Sequence, residues 1–309
     1  VEYGAWLALA AALRWLPRRA LVAVADVLGW LMYRVLRVRR RVVEENLAIA
    51  FGTTKTEKER DAIALRSYQN AVLTFCEFVR PDYVGEKALQ LLTLPEITPL
   101  IREHRERPSV FLTAHIGNWE LLGPGMQALG VEIDAVLKPL HNPLIDRWVA
   151  RRRQQADIGL IPTTGSLKGI VTSLRKGRHP VFLADQDARR SGIFVDFMGQ
   201  PASTAVGPAY FAVKMGVPIV AGFSVRNNDP LRTLRLLVYP PLWPDPNAPF
   251  EQEVARLTQA HVRLLEEVVR QYPESYFWLH RRWKTRPKAK REDGLGATTD
   301  NASSGTDLA

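Results

Sequence analysis

Between residues 109 and 240 the chain alternates between two hydrophobic periodicities, and this alternation limits the possible folds more than any other feature. The runs "SVFLTA", "IDAVLK", "HPVFLADQD", "VPIVAGFSV" and "TLRLLVYP" are short, apolar and rich in β-branched and aromatic residues, as strands are. Stretches with helical spacing near 118–130, 142–157, 166–177 and 204–216 separate them. Strands linked by helices of this length are linked by crossovers. The pattern therefore predicts an α/β fold, a mixed, largely parallel sheet flanked by helices on both faces.

The flanks are helical. "TEKERDAIALRSYQNAVLTFCEFVR" reads as an amphipathic helix opened by a Thr56/Glu59 capping box, with Leu65, Tyr68, Val72, Phe75 and Val79 on one face and Pro81 at its end. Its Cys76 is the chain's single cysteine, which excludes an internal disulfide and a thiolate metal site and suits a small buried hydrophobe. The proline-rich "PPLWPDPNAPF" leads into a last amphipathic helix carrying Val254, Leu257, His261, Leu264 and Val268. The polar, Gly/Ser/Thr-rich tail after Arg286 is expected to be disordered. Three parts result: N-terminal helices over 1–50, an α/β domain with a helical lead-in over 51–285, and a tail over 286–309.

Six histidines and acids at roughly one position in ten should give about 0.6 chance matches to H-x-x-x-x-[DE]. The chain has three: His115/Glu120, His141/Asp146 and His261/Glu266. Five residues along an unbroken helix turn about 500°, which leaves the two side chains about 140° apart, so His261 and Glu266 cannot easily meet. A useful pair needs a histidine at a strand end, a tight turn, and the acid in the first turn of the next helix. "FLTAHIGNWELL" offers this, with Gly117 for the turn and Asn118 as N-cap. "VLKPLHNPLID" is a rival, with Asn142 as cap and Pro143 at the first helical position. Spacing alone leaves both open.

The net charge of +10 gathers in two places. Eight arginines stand against one acid, Asp26, between Arg14 and Arg41, and "HRRWKTRPKAKR" holds seven Lys/Arg and no acid. Such clusters suit an anionic partner: phospholipid, a phosphorylated substrate or nucleic acid. In the first cluster, "YGAWLALAAALRWL" and "ALVAVADVLGWLMYRVL" fall short of the about 20 apolar residues that a membrane span needs. They read as helices lying in a membrane interface, with Trp6, Trp15, Trp30 and Tyr33 at headgroup level and Arg14, Arg18 and Arg19 reaching toward phosphates. Burial as core helices is the alternative. A cleaved signal peptide is not expected.

Four blocks in order, "HIGNWE", "KPLHNPLIDRWVARRR", "FLADQDARRSGIFVDFMGQPAST" and "YFWLHRRWKTRP", resemble the bacterial late acyltransferases of lipid A biosynthesis, within the wider glycerolipid acyltransferase superfamily. The resemblance runs from "RRVVEENLAIAFG" to "WLHRRWKTRP" and implies a glycerolipid acyltransferase-like fold. It puts the family's H-x-x-x-x-[DE] motif on His115 and Glu120. It further implies acyl transfer from a thioester to a hydroxyl, with His115 as general base and Glu120 on the far ring nitrogen. Arg151 and Arg153 match arginine positions typical of the family, with Arg153 the expected oxyanion donor and Arg151 a substrate-binding residue. Asp185 is expected to order the site, with Asn118, Gln186 and Asp187 near the substrate. Arg281, Arg282 and Lys284 would hold a substrate phosphate or anionic lipid.

The implied partners are an acyl carrier protein (or coenzyme A) thioester, a phosphorylated glycolipid and a membrane, not nucleic acid. The implied location is the cytoplasmic face of the bacterial inner membrane, peripheral or held by a single N-terminal anchor. Asp185 and Asp187 have a DxD-like spacing, but nothing else supplies a coordination shell, so no metal or other cofactor is expected. No G-x-S-x-G supports a serine nucleophile. The alternatives are an acyltransferase for a mannosylated phosphoinositide using coenzyme A, and a non-catalytic basic protein that binds membrane or nucleic acid.

Overall fold

Parallel strands need crossovers, and in the computed structural model, which describes residues 2–80, 90, 92–93, 105 and 107–287, helices supply them. The described strands are β1 (Leu92–Thr93), β2 (Val110–Thr113), β3 (Ile133–Leu137), β4 (Gly159–Pro162), β5 (His179–Leu183), β6 (Ile193–Phe197), β7 (Gln200–Thr204), β8 (Ile219–Arg226) and β9 (Leu234–Val238). Seven form one sheet in the order β1-β9-β8-β2-β5-β3-β4. Its β8-β2-β5-β3-β4 stretch is parallel, and β9 turns back antiparallel on β8. The predicted α/β class is what the chain adopts.

Helices α5 (Trp119–Ala128), α6 (Pro143–Gln155) and α7 (Ser166–Arg175) carry the chain between β2, β3, β4 and β5, and α8 (Gly207–Met215) precedes β8. Strand alternation divides the core in two. Val110, Leu112 and Ala114 face a large cluster with Ile170, Phe211 and Leu257, whereas Phe111 faces a smaller one with Leu121, Ile133 and Ile158.

Besides the two-residue β1, the strand β4 and the hairpin β6–β7 escaped the sequence reading. β4 is too short and Gly/Pro-bounded to stand out. The hairpin β6–β7 turns on Met198 and Gly199, both at positive φ (59° and 77°), the backbone that a two-residue hairpin turn demands. A methionine in that conformation masks the usual Asn-Gly signal.

The N-terminal helices are α1 (Glu2–Arg14), α2 (Arg18–Trp30), which runs on through a π turn (Leu31–Val35), α3 (Arg40–Phe51) and α4 (Glu57–Phe78). The Thr56/Glu59 capping box opens α4. Its buried stripe differs from the expected face: Phe75 is exposed, while Ser67, Asn70, Thr74 and Glu77 are inside. The reason is that α4 is covered on two sides, by α2 and by the segment around Pro273–Ser275, so polar groups facing either neighbour are enclosed. Cys76 is buried, and burial pushes its thiol up to about 11. Pro81 and the tail beyond 287 lie outside the described residues, as do the side chains of Trp6 and Arg14.

Two of the expected headgroup contacts are corrected. Tyr33 is buried against Tyr68 and donates its hydroxyl to Asp61 at 2.7 Å. Arg18 turns inward, pairs with Glu77 and donates to the Leu231 carbonyl at 2.9 Å. Both residues had read as interfacial because aromatic and basic side chains near apolar helices suit either role. Trp15, Trp30 and Arg19 remain exposed. No described helix is long and apolar enough to cross a membrane.

Glu77 is fully buried and joins the two halves of the molecule. It accepts from Arg226 on β8 at 2.7 and 3.1 Å, from Arg18 on α2, and from the Asn118 amide at 2.6 Å. Burial opposes its charge, but the two arginines more than offset that and hold its carboxyl below the usual range. Removing one partner from such a group strands a buried charge. Glu77→Ala is expected to lower unfolding free energy by about 3–5 kcal/mol, measurable by urea titration.

Candidate active site

β2 and β5 lie side by side with Thr113 opposite Leu183. Two residues further along each chain, past the carboxyl ends of the strands, the register brings His115 next to Asp185. The Asp185 carboxylate takes two bonds from His115: the backbone N–H at 3.0 Å and ring Nδ1 at 2.8 Å. One buried carboxylate thus fixes both the loop and the imidazole. Burial penalises the imidazolium, but Asp185, with Glu120 further off, outweighs it and raises the His115 pKa above the usual 6.5. In turn, burial pushes the Asp185 carboxyl up, while the His115 ring and its N–H donors outweigh that and hold it below the ordinary range.

The turn after His115 is built for one residue type. Gly117 has φ +59°, and an added Cβ would lie 2.1 Å from the Ser224 carbonyl oxygen. Its N–H donates to the Ser275 carbonyl at 2.8 Å, and its own carbonyl accepts from Thr74 at 2.7 Å. The Phe277 N–H donates to the His115 carbonyl at 2.9 Å, so the "YFWL" block forms a strap across the loop. Tyr276, buried, directs its hydroxyl to the Asp185 carbonyl at 3.3 Å. Trp119 meets the imidazole edge-on, with ring centroids 4.9 Å apart. The sequence reading missed Thr74, Glu77, Arg226 and Tyr276 as supports of this loop. Tyr276 stood in a block quoted for the family resemblance, and Thr74 and Glu77 in the α4 stretch read only for its apolar face; their pairing with Arg226, some 150 positions away, carries no local pattern.

The expected roles need correction at three residues, Glu120, Asn118 and Arg282. Glu120 does not hold the far ring nitrogen: its two oxygens receive Arg153 Nη2 at 2.9 and 3.1 Å, and Asp185 has the ring. The first turn of α5 aims Glu120 across at α6, which H-x-x-x-x-E spacing cannot reveal. Asn118 is a fold residue, nearly fully buried, capping α5 through Leu121 N–H at 3.0 Å and donating to Glu77. Arg282 is 2% exposed and donates to the Ser203 carbonyl at 2.6 Å and the Thr204 hydroxyl at 2.5 Å, with Phe197 beneath it, so it cannot meet a phosphate. Asp187 accepts the Thr285 hydroxyl at 2.9 Å and ties down the strap. Arg151 is exposed on α6, away from the Glu120–Arg153 pair. Arg281 and Lys284 are exposed, and Gln186 Nε2 lies 3.4 Å from His115 Nε2.

The rival motifs have other uses. His141 is exposed, and Asp146 accepts the Leu140 N–H at 2.8 Å. His261 is buried, and burial, with Arg282 nearby, takes its pKa down to about 3, so it stays neutral. Among the described residues no group of three or more His, Cys, Asp or Glu is arranged to hold a metal ion.

A cleft of about 470 Å³ opens beside His115, Glu120, Arg153 and Gln186. It runs between the sheet and α5, and its walls are largely apolar, including Phe111, Leu183, Val220 and Met126. A charged reaction centre at one end of an apolar trough suits a substrate with a reactive head and a hydrocarbon tail.

Comparison with known sequences points the same way. The family described as bacterial lipid A biosynthesis acyltransferase matches residues 1–285. The chain belongs to that family. It is 27% identical over 282 residues to the lipid A biosynthesis lauroyltransferase of Escherichia coli K12, covering 88% of each chain. It is 26% identical to the lipid A biosynthesis palmitoleoyltransferase of the same organism over 91% of each. A phosphatidylinositol mannoside acyltransferase of Mycolicibacterium smegmatis is 24% identical over 62% of this chain and 61% of its own. The protein is thus an acyltransferase, using an acyl donor and a lipid acceptor. For this acyltransferase, Asp185→Asn is expected to remove most of the upward push on His115 and leave burial opposed by Glu120 alone. The ring should titrate above 6.5 in the wild type and below it in the variant, read by histidine NMR across pH 4–9.

Proposed function

We propose that this acyltransferase moves a fatty acyl chain from an acyl carrier protein thioester to a hydroxyl of a phosphorylated lipid A precursor, with His115 as general base. The single observation that supports this most is the Asp185–His115 pair at the mouth of an apolar cleft. With Nδ1 engaged, Nε2 is the nitrogen left for chemistry. It takes the acceptor hydroxyl proton as the oxygen attacks the thioester carbon. The new C–O bond forms, the C–S bond breaks, and the departing thiolate recovers the proton as a thiol.

The tetrahedral oxyanion needs donors. Arg153 uses two N–H groups on Glu120, and a guanidinium carries five, so the pair can present further donors while Glu120 keeps the fork oriented. Glu120 is in this reading a positioning residue for Arg153. Arg281 and Lys284, exposed beyond the strap, are left to meet acceptor phosphates or anionic lipid.

The same proposal places the N-terminal helices on the cytoplasmic face of a bacterial inner membrane. The support is an exposed apolar set on and beside α1, α2 and the π turn, with Trp15 at 80% between α1 and α2, Val27 at 64% on α2 and Leu36 at 61% just past the π turn, beside exposed Arg19, Arg37 and Arg39. A second reading, acylation of a mannosylated phosphoinositide from coenzyme A, is favoured by the similarity to the M. smegmatis enzyme.

An assay of the purified protein with each acceptor and with carrier-protein or coenzyme A thioesters separates these. The expected result is one added acyl chain on the lipid A precursor from the carrier thioester. kcat should fall about 10² to 10⁴-fold in His115→Ala with the melting temperature retained, and the acid limb of the wild-type rate profile should lie above pH 6.5. Acylation of the phosphoinositide alone, or full activity in His115→Ala, overturns the proposal.

A further inference from the structure

Thr113 is buried in β2 two residues before His115, and its Oγ1 has no hydrogen-bond partner. Strand alternation puts its side chain on the same face as Phe111 and His115, and it lines the apolar cleft. An unpaired hydroxyl there is a standing cost, and valine would fill the same space without it. The residue lines the trough while Oγ1 itself is covered, so the hydroxyl gains a partner only by turning toward a bound ligand.

There is room for that partner. The register Leu112↔Ala221 continues to set Thr113 across from Gly222 on β8. Gly222 also lines the cleft, and an added Cβ there would meet nothing nearer than 3.8 Å. The missing side chain leaves a methyl-sized volume unfilled next to Thr113. Rotation about χ1 between staggered wells turns Oγ1 toward it.

The depth of the site sets where on the acyl chain a partner must sit. Two residues of strand span about 6.6 Å. An extended hydrocarbon built from C–C bonds of about 1.5 Å advances about 1.3 Å per carbon, so Thr113 flanks about the first five carbons beyond the reacting carbonyl.

We propose that Thr113 and the space over Gly222 form a subsite for a hydroxyl near the carboxyl end of the acyl donor, so that the protein selects a 3-hydroxyacyl over an unsubstituted chain. The donor hydroxyl exchanges hydrogen bonds with Thr113 and takes no part in the reaction; the thioester alone is consumed. A site holding a buried polar group for a substrate hydroxyl discriminates against the analogue that lacks it, because that analogue leaves the group unpaired. The inference rests on the proposed acyl transfer.

The test compares dodecanoyl and 3-hydroxydodecanoyl thioesters of acyl carrier protein, with a phosphorylated lipid A precursor as acceptor, in the wild type, Thr113→Val and Thr113→Ser. The wild type should favour the hydroxylated donor at least about tenfold in kcat/KM, about the factor that one such hydrogen bond supplies. Thr113→Ser should keep the preference and Thr113→Val lose it. Thr113→Val should melt no lower than the wild type, since no fold contact uses the hydroxyl. A wild-type preference for the plain chain, equal use of both donors, an unchanged ratio in Thr113→Val, or a lowered melting temperature in that variant each overturns the subsite. If both donors are used equally, the acyl transfer itself stands; if neither reacts, the proposed function fails and takes the subsite with it.

Discussion

A single buried carboxylate, Asp185, does two things at once: it accepts the backbone N–H of His115 and it holds the imidazole. The first bond fixes where the loop leaves β2, and the second fixes which ring nitrogen is available. Both depend on the neighbouring register of β2 and β5, so the centre is a property of the sheet before it is a property of the loop. Ligands in open α/β sheets gather outside the carboxyl ends of the strands for this reason.

Behind this pair lies a second charged layer. Glu77 links α2, α4, β8 and the cap of α5, so that the helix carrying Glu120 is anchored through Asn118 to a buried ion cluster. Buried ion pairs give modest stability because desolvation offsets much of their attraction. Their use here is geometric: Arg226 also meets Thr74 at 2.7 Å, and Thr74 in turn holds the Gly117 carbonyl. The turn after His115 is therefore braced from α4, β8 and the strap together.

Most of the sheet and the crossover helices were legible in the sequence because β2, β3, β5, β8, β9 and the helices between them carry their own periodicity. The His115 loop was legible for a similar reason: Gly117 and Asn118 announce a tight turn and a cap within a few residues. What stayed hidden was pairing between distant segments. Glu120 was assigned to the ring because it is near in sequence, yet Arg153 on α6 takes it. Arg282 looked like a ligand for phosphate because basic clusters usually face solvent, yet the hairpin β6–β7, itself masked by Met198, supplies two oxygens that enclose it. Arg18 and Tyr33 were misread in the same way, since a basic or aromatic residue beside apolar helices fits a membrane surface or a core equally well. Trp15 and Trp30 are exposed, which suits the surface role read from the sequence.

The strap formed by Ser275, Tyr276 and Phe277 closes over a loop that precedes it by some 160 positions in the chain. Synthesis runs from the amino end. While the ribosome is still producing the final helix, the segment around position 115 lacks the bonds that give it shape, so the nascent polypeptide carries an incomplete centre. Acyl transfer is in this way withheld until nearly all of the sheet-forming chain has emerged.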